Sequence, residues 1–179
     1  MSTPRPKRCI QRERHKTLTT LLTFLLLTLG VPALAIEPNP DFSAEEVLRI
    51  QLDALRENDQ PNSDAGISTT FAFTSPENRR ATGPLAKFKT LFTNPGYSAL
   101  INHRSALYSK PLPVSREDVH IQLVLIISAE YGNQVYHWLL SKQSEGEYKD
   151  CWMTDGVAPV LMSSEQIEEI FNYRPQLAI

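Results

Sequence analysis

Apolar residues repeat at helical spacing through the first half of this chain and at strand spacing through the second. From Ser43 onward, Val47, Leu48, Ile50, Leu52, Ala54 and Leu55 make a wide apolar face, with Arg49, Asp53, Arg56 and Glu57 on the wet side. Ser43 and Glu46 stand at the spacing of a capping box, so a helix is predicted to open there. The turn formers "ENDQPNSDAG" end it. The stretch "FAFTSPENRRATGPLAKFKTLF", Phe71 to Phe92, reads mostly as helix punctuation. Ser75 suits an N-cap, Pro76 a first helical position and Glu77 the positive end of the helix dipole, which predicts a short helix over 76–82. Gly83-Pro84 breaks it and starts another, carried by Leu85, Phe88, Leu91 and Phe92.

After Tyr97 the period becomes two. "YSALINHRSALYSK" is a first strand candidate and "VHIQLVLIISAEY" the clearest, with Val119, Ile121, Leu123, Leu125, Ile127 and Ala129 forming one apolar face. Gly132-Asn133 reads as a tight turn into "QVYHWLLSKQ", and Glu145-Gly146 as a second turn into "EYKDCWMTDGVAPV". "SSEQIEEIFNY" predicts a closing helix capped by Ser163. Helices followed by a run of antiparallel strands indicate an α+β fold.

The N-terminus stands apart. Arg5, Lys7, Arg8, Arg12, Arg14 and Lys16 precede the apolar run "LTTLLTFLLLTLGVPALA", which ends in Ala33-Leu34-Ala35. This is the pattern of a signal peptide over 1–35, cut between Ala35 and Ile36, and it predicts an exported protein (periplasm, thylakoid lumen or extracellular). The run is also near the lower limit of a spanning length, so an uncleaved membrane anchor is the alternative. Beyond the leader the expected divisions are an extended lead-in over 36–41, an α+β domain over 42–162, and a short helix and tail over 163–179. The leader holds six of the 18 basic residues and one of the 20 acidic ones, leaving 12 and 19, a net of about −7. That balance argues against nucleic acid or an anionic membrane as the main partner. Outside the leader, Cys151 is the single cysteine, expected as a buried and inert thiol beside Trp152 and Met153.

The order of one long capped helix, two short helices and an antiparallel sheet resembles the nuclear-transport-factor-2-like, cystatin-like superfamily, whose members include ketosteroid isomerase and scytalone dehydratase. "VLRIQLDALREND" and "GEYKDCWMTDGV" are similar to its opening helix and final strand. More narrowly, "IQLDALREND", "FAFTSPENRRATGP" and the spaced "F..LF...GY" resemble a family of bacteria and plants described as a domain of unknown function, over about Asp41 to Val160. The resemblance implies a cone: a curved sheet of about four strands wrapped round the first helix, with a pocket at the open end. It implies no catalytic residue.

The candidate chemistry is sparse. His103, His120 and His137 are evenly spaced. With a two-residue turn at Gly132-Asn133, His137 faces Ser128 and His120 faces Glu145, about 27 Å apart at ~3.4 Å per residue. A shared ion needs bonds of about 2 Å, so no metal site is expected. The same register places Tyr136 and Trp138 on the inner, apolar face. A two-residue turn at Glu145-Gly146 sets Asp155 opposite Tyr136, and such a carboxylate beside a phenol is a candidate acid-base pair. Arg79 is a candidate for meeting a ligand at the pocket, with Arg80 turned about 100° away. No phosphate loop, dinucleotide fingerprint or nucleophile elbow appears, and no cofactor is implied. Three functions stay open. One is a non-catalytic module binding a small apolar ligand or a protein. Another is a small isomerase or dehydratase-like enzyme using Asp155 and Tyr136. The last is a structural homodimer formed through Val124, Ile126, Val135 and Leu139.

Overall fold

The computed structural model describes residues 36–173. The leader, its cut at Ala35 and the last residues of the tail lie outside that range. Ser43 does cap the first helix, α1 (Ala44–Arg56). Its Oγ accepts from the Glu46 amide and the Glu46 carboxylate accepts from the Ser43 amide at 2.7 Å. The α1 stripe of Val47, Leu48, Leu52 and Leu55 packs into a core with Val124, Ile126, Tyr136, Trp138 and Leu140 of the sheet.

Beginning at the last of the turn formers that end α1, the chain forms a further helix, α2 (Ala65–Ala72), for which the apolar pattern gave no sign. Its first residue is preceded by Asp64 in the left-handed region, with no capping bond from the Asp64 side chain. The cap comes from elsewhere: buried Asn58, just past α1, accepts the Ile67 amide on Oδ1 at 3.1 Å. Asn58 also accepts the Gly66 amide on its carbonyl at 2.9 Å. Gly66 makes this possible because α2 crosses α1 at backbone contact; a Cβ there would sit 2.1 Å from the Ala54 carbonyl oxygen.

The punctuation of 71–92 holds. Ser75 caps α3 (Pro76–Thr82) and Pro84 precedes α4 (Leu85–Leu91). The first strand candidate is mostly not a strand. Residues 98–100 form a single 3-10 turn with Ala99 and Leu100 in the core, and the strand β1 is only Ser105–Tyr108. Asn102 explains the difference: at φ 50° it turns the chain, its amide bonds to the Leu55 carbonyl at 2.9 Å, and its Oδ1 accepts the Asn58 amide at 3.2 Å.

β1, β2 (Val119–Ser128), β3 (Gly132–Lys142) and β4 (Trp152–Val160) form one antiparallel sheet in chain order. The β2–β3 loop is Ala129–Tyr131, closed by Gly132 at φ 76°, rather than the two-residue Gly132-Asn133 turn. Tyr136 therefore pairs with Val124, and Trp138 with Gln122. This shift of five residues is odd, so it exchanges the faces of β2. Val124 and Ile126 face α1, and the set Ile121, Leu123, Leu125 and Ile127 faces the other way. The proposed dimer patch is thus split: Val124 and Ile126 are core, while Val135 lies on the outer face and is itself buried. Asn133, on that outer face, donates to the Tyr173 hydroxyl at 3.3 Å, which brings the chain after α5 (Ser164–Phe171) back to the start of β3. No helix among the described residues is long and apolar enough to cross a membrane.

Gly66→Ala is expected to lower stability by about 3 kcal/mol, because the added methyl meets backbone that cannot move aside. Urea unfolding checks this; a loss below about 1 kcal/mol would mean that α2 can shift off α1.

Candidate functional site

The core stripe of α1 contains one polar residue, Gln51, which is fully buried. A buried amide has to find partners, and Gln51 finds them on three elements. Its Oε1 accepts from Trp138 Nε1 of β3 at 3.2 Å and from Thr154 Oγ1 of β4 at 2.7 Å. Its Nε2 donates to the Thr70 carbonyl of α2 at 3.1 Å. The indole proton is shared, since Trp138 Nε1 also lies 3.2 Å from Thr154 Oγ1.

Thr154 reaches the inner face through a bulge. Leu139 pairs with Gly156 and Leu140 with Thr154, so Asp155 is the extra residue and has no partner across the ladder. The Thr154 backbone then holds the α2–α3 junction. Its amide donates to the Phe73 carbonyl at 2.9 Å, and its carbonyl accepts the Ser75 amide at 2.9 Å and Asn78 Nδ2 at 3.2 Å.

Beside this junction lies a cavity of about 130 Å³. Six of the residues lining it are apolar: Leu55, Phe88, Leu91, Phe92, Leu100 and Val157. The polar ones are neutral. They are Gln51, Trp138 and Thr154, the row Thr70, Thr74, Asn78 and Thr82, and Tyr97. Among the described residues, no carboxylate, histidine, lysine, arginine or cysteine lines it.

The structure brings together few of the residues that sequence reasoning selected. Trp138 lines the cavity. Tyr136 lies behind Tyr97, their rings stacked at 6.4 Å, and its hydroxyl donates to Gln134 Oε1 at 3.0 Å. Burial, helped by the nearby Tyr97, pushes its phenol well above the usual range, so it keeps its proton. Its partner in β4 is Pro159, not Asp155, because the β3–β4 connection spans residues 143–151 instead of a two-residue turn. Asp155 is half-buried and does not line the cavity. Arg79 is also outside it. Its guanidinium lies between the Phe71 and Tyr148 rings, 5.3 and 5.1 Å from their centroids, and donates to the Ala72 carbonyl at 2.6 Å and the Tyr148 hydroxyl at 3.2 Å. Arg80 makes an exposed pair with Glu77. Cys151 is buried, and burial pushes its thiol up.

The histidines disperse in a different way from the one the expected register implies. His120 pairs with Leu140 and His137 with Leu123, three positions apart along the ladder but on opposite faces. His120 Nε2 meets Gln122 Oε1 at 3.0 Å, and buried His103 meets the Leu100 carbonyl through Nδ1 at 2.9 Å. Among the described residues, no group of three or more His, Cys, Asp or Glu side chains could hold a metal ion.

The cavity residues not selected from the sequence left a signal there. Gln51 interrupts an apolar stripe at the i, i+3, i+4 positions where a core residue is due, and Thr70, Thr74, Asn78 and Thr82 recur every four residues.

Residues 39–166 match the family described as a domain of unknown function, DUF4864, and the chain belongs to that family. No curated protein and no solved structure was found to match the chain.

Two outcomes follow from the buried network and its surroundings. Gln51→Leu strands the Thr154 hydroxyl and the Thr70 carbonyl and is expected to cost about 2 kcal/mol, and Thr154→Val about 1 kcal/mol, by urea unfolding. The double variant should cost less than the sum, since the second change removes a partner the first left unpaired. His103 gives the pH dependence. Desolvation lowers its pKa below the ordinary value of about 6.5, the Leu100 bond opposes this, and the Arg56 charge adds to it against Asp53. Above that value the ring is neutral in both states. Below it the unfolded chain takes up a proton that the folded one refuses, so stability falls as pH drops from about 6.5 toward the folded pKa. Unfolding measured between pH 7 and pH 5 should show this slope, and His103→Gln should flatten it.

Proposed function

Since the family supplies no chemistry to carry over, we propose a function from the cavity itself: a non-catalytic module that binds a small apolar ligand. The observation that carries this is the composition of the lining, which joins apolar residues with polar ones that carry no charge. Binding sites of this kind use apolar surface for affinity and a few polar groups for orientation. Catalysis by proton transfer needs a group whose pKa lies near the working pH, and Tyr136, the phenol nearest the cavity among the earlier candidates, is shifted away from it. The volume suits one ring, as an apolar cavity of about 150 Å³ holds a benzene.

The frame of this reading is the cystatin-like cone, with α1 as its filling and the cavity at its mouth. The place of action is outside the cytoplasm, after removal of residues 1–35. The basic and then apolar leader ending in Ala33-Leu34-Ala35 supports export. Protein recovered from an exported fraction should begin at Ile36 by intact mass; a full-length mass there would favour the anchor.

Titration of the full chain with toluene, followed by calorimetry and by Trp138 fluorescence in a Trp152→Phe background, should show saturable binding. Val157→Phe, which fills the cavity from the β4 side, should abolish it while leaving a cooperative thermal transition. Toluene binding that survives Val157→Phe would place the ligand elsewhere and sink the reading.

A further inference from the structure

The hydroxyl groups around the cavity are oriented, and their orientation selects a ligand. Thr70 Oγ1 donates to the Gly66 carbonyl at 2.9 Å, Thr82 Oγ1 to the Asn78 carbonyl at 2.8 Å, and Thr74 Oγ1 to the Phe71 carbonyl. Tyr97 Oη donates to the Val157 carbonyl at 3.1 Å. Every one of these protons is thus committed to the main chain. A hydroxyl oxygen keeps acceptor capacity after donating. Among the described residues, no donor reaches the oxygens of Thr70, Thr74, Thr82 or Tyr97. Thr70 and Thr74 are 5% and 2% exposed, so theirs is acceptor capacity that solvent scarcely reaches.

Donors are scarcer. Trp138 Nε1 is shared between Gln51 and Thr154, and one amide proton each of Gln51 and Asn78 is used on a carbonyl. Their second amide protons remain. The wall therefore offers several acceptors and two neutral donors, with no cation to balance an anion and no carboxylate to balance an ammonium. A charged ligand would enter without a counter-charge, which costs far more than a neutral group.

We propose that the ligand is a neutral one-ring compound bearing a hydroxyl group, which donates to threonine oxygens of the lining while its ring packs on the apolar residues. This rests on the binding reading above and narrows it to a chemical class. A hydroxyl matches the wall in both senses, donating to Thr70 or Thr74 and able to accept from the Gln51 amide. In a cavity without such acceptors, the cost of desolvating the hydroxyl would make the methyl analogue bind better.

Phenol and toluene differ by this one group and test the proposal on the full chain by calorimetry at neutral pH. Phenol is expected to bind about threefold to tenfold tighter than toluene, the range of one net hydrogen bond. Benzoate and benzylammonium should not bind. The double change Thr70→Val with Thr74→Val should bring the phenol affinity down toward that of toluene and leave toluene unchanged. Toluene equal to or tighter than phenol, or benzoate binding as well as phenol, would overturn the hydroxyl proposal while leaving a binding cavity. No binding of either neutral ring would overturn both readings together.

Discussion

A buried amide must be hydrogen-bonded, and the position of Gln51 in the core stripe of α1 forces much of the remaining architecture. Its three bonds reach β3, β4 and α2, so the register of β4 and the approach of α2 are fixed by the same side chain. The bulge is the device that makes this work. Had the pairing of Leu139 with Gly156 continued unbroken, Leu140 would face Asp155, and a carboxylate would point at Gln51 Oε1. Two acceptors would then meet in a dry core. One inserted residue replaces that clash with a hydroxyl donor and leaves Asp155 on the strand without a cross-strand partner.

The cavity follows from the same junction. Thr154 serves α1 through its side chain and the α2–α3 turn through its backbone, so the helices are held off the sheet at a fixed spacing. Gly66 sets the other limit by bringing α2 to backbone contact with α1. Between the closely packed α1–α2 pair and a turn pinned to β4, the rings of Phe88 and Phe92 border the remaining space. Phe88 packs on Phe71 at 5.2 Å and on Phe92 at 5.5 Å, a ladder of rings that forms a wall without filling the interior.

What the sequence makes legible here is what is decided locally. Ser43 with Glu46, Ser75 with Pro76, and Ser163 with Gln166 act within one turn, and each helix start appears where the residues place it. The strands β2 to β4 are legible as elements because each is rich in apolar and β-branched or aromatic residues and is bounded by turn formers. Register is another matter. Gly132-Asn133 and Glu145-Gly146 are good turn dipeptides, yet both loops are longer, because the partners that set them lie across the sheet. β2 is apolar on both sides over Val124–Ile127, so periodicity could not say which face meets α1. Gln122, the residue that looks most like a surface marker, is buried, since Ser109 accepts its amide at 2.6 Å and His120 meets its carbonyl oxygen. α2 was illegible because its cap, Asn58, comes from the preceding segment rather than from Asp64, and because "AGISTTFA" is a poor helix sequence without the α1 contact.

The residues that look most reactive in the sequence are the ones the fold uses for structure. Arg79 clamps the end of α2 to the 143–151 loop, His103 fastens the turn before β1, and Tyr136 holds a core position by its ring and a local bond by its hydroxyl. The cavity is instead lined by threonines, two amides, aromatics and aliphatic residues, whose side chains carry no charge at neutral pH. This division has a physical basis. An ionisable group at the wall of a small dry cavity would either lose its charge or hold water there to keep it, and held water would compete with any apolar ligand. Hydroxyls already bonded to carbonyls avoid both costs. They are polar without carrying a charge, and Thr70, Thr74 and Thr82 place three of them on the α2–α3 side of the cavity.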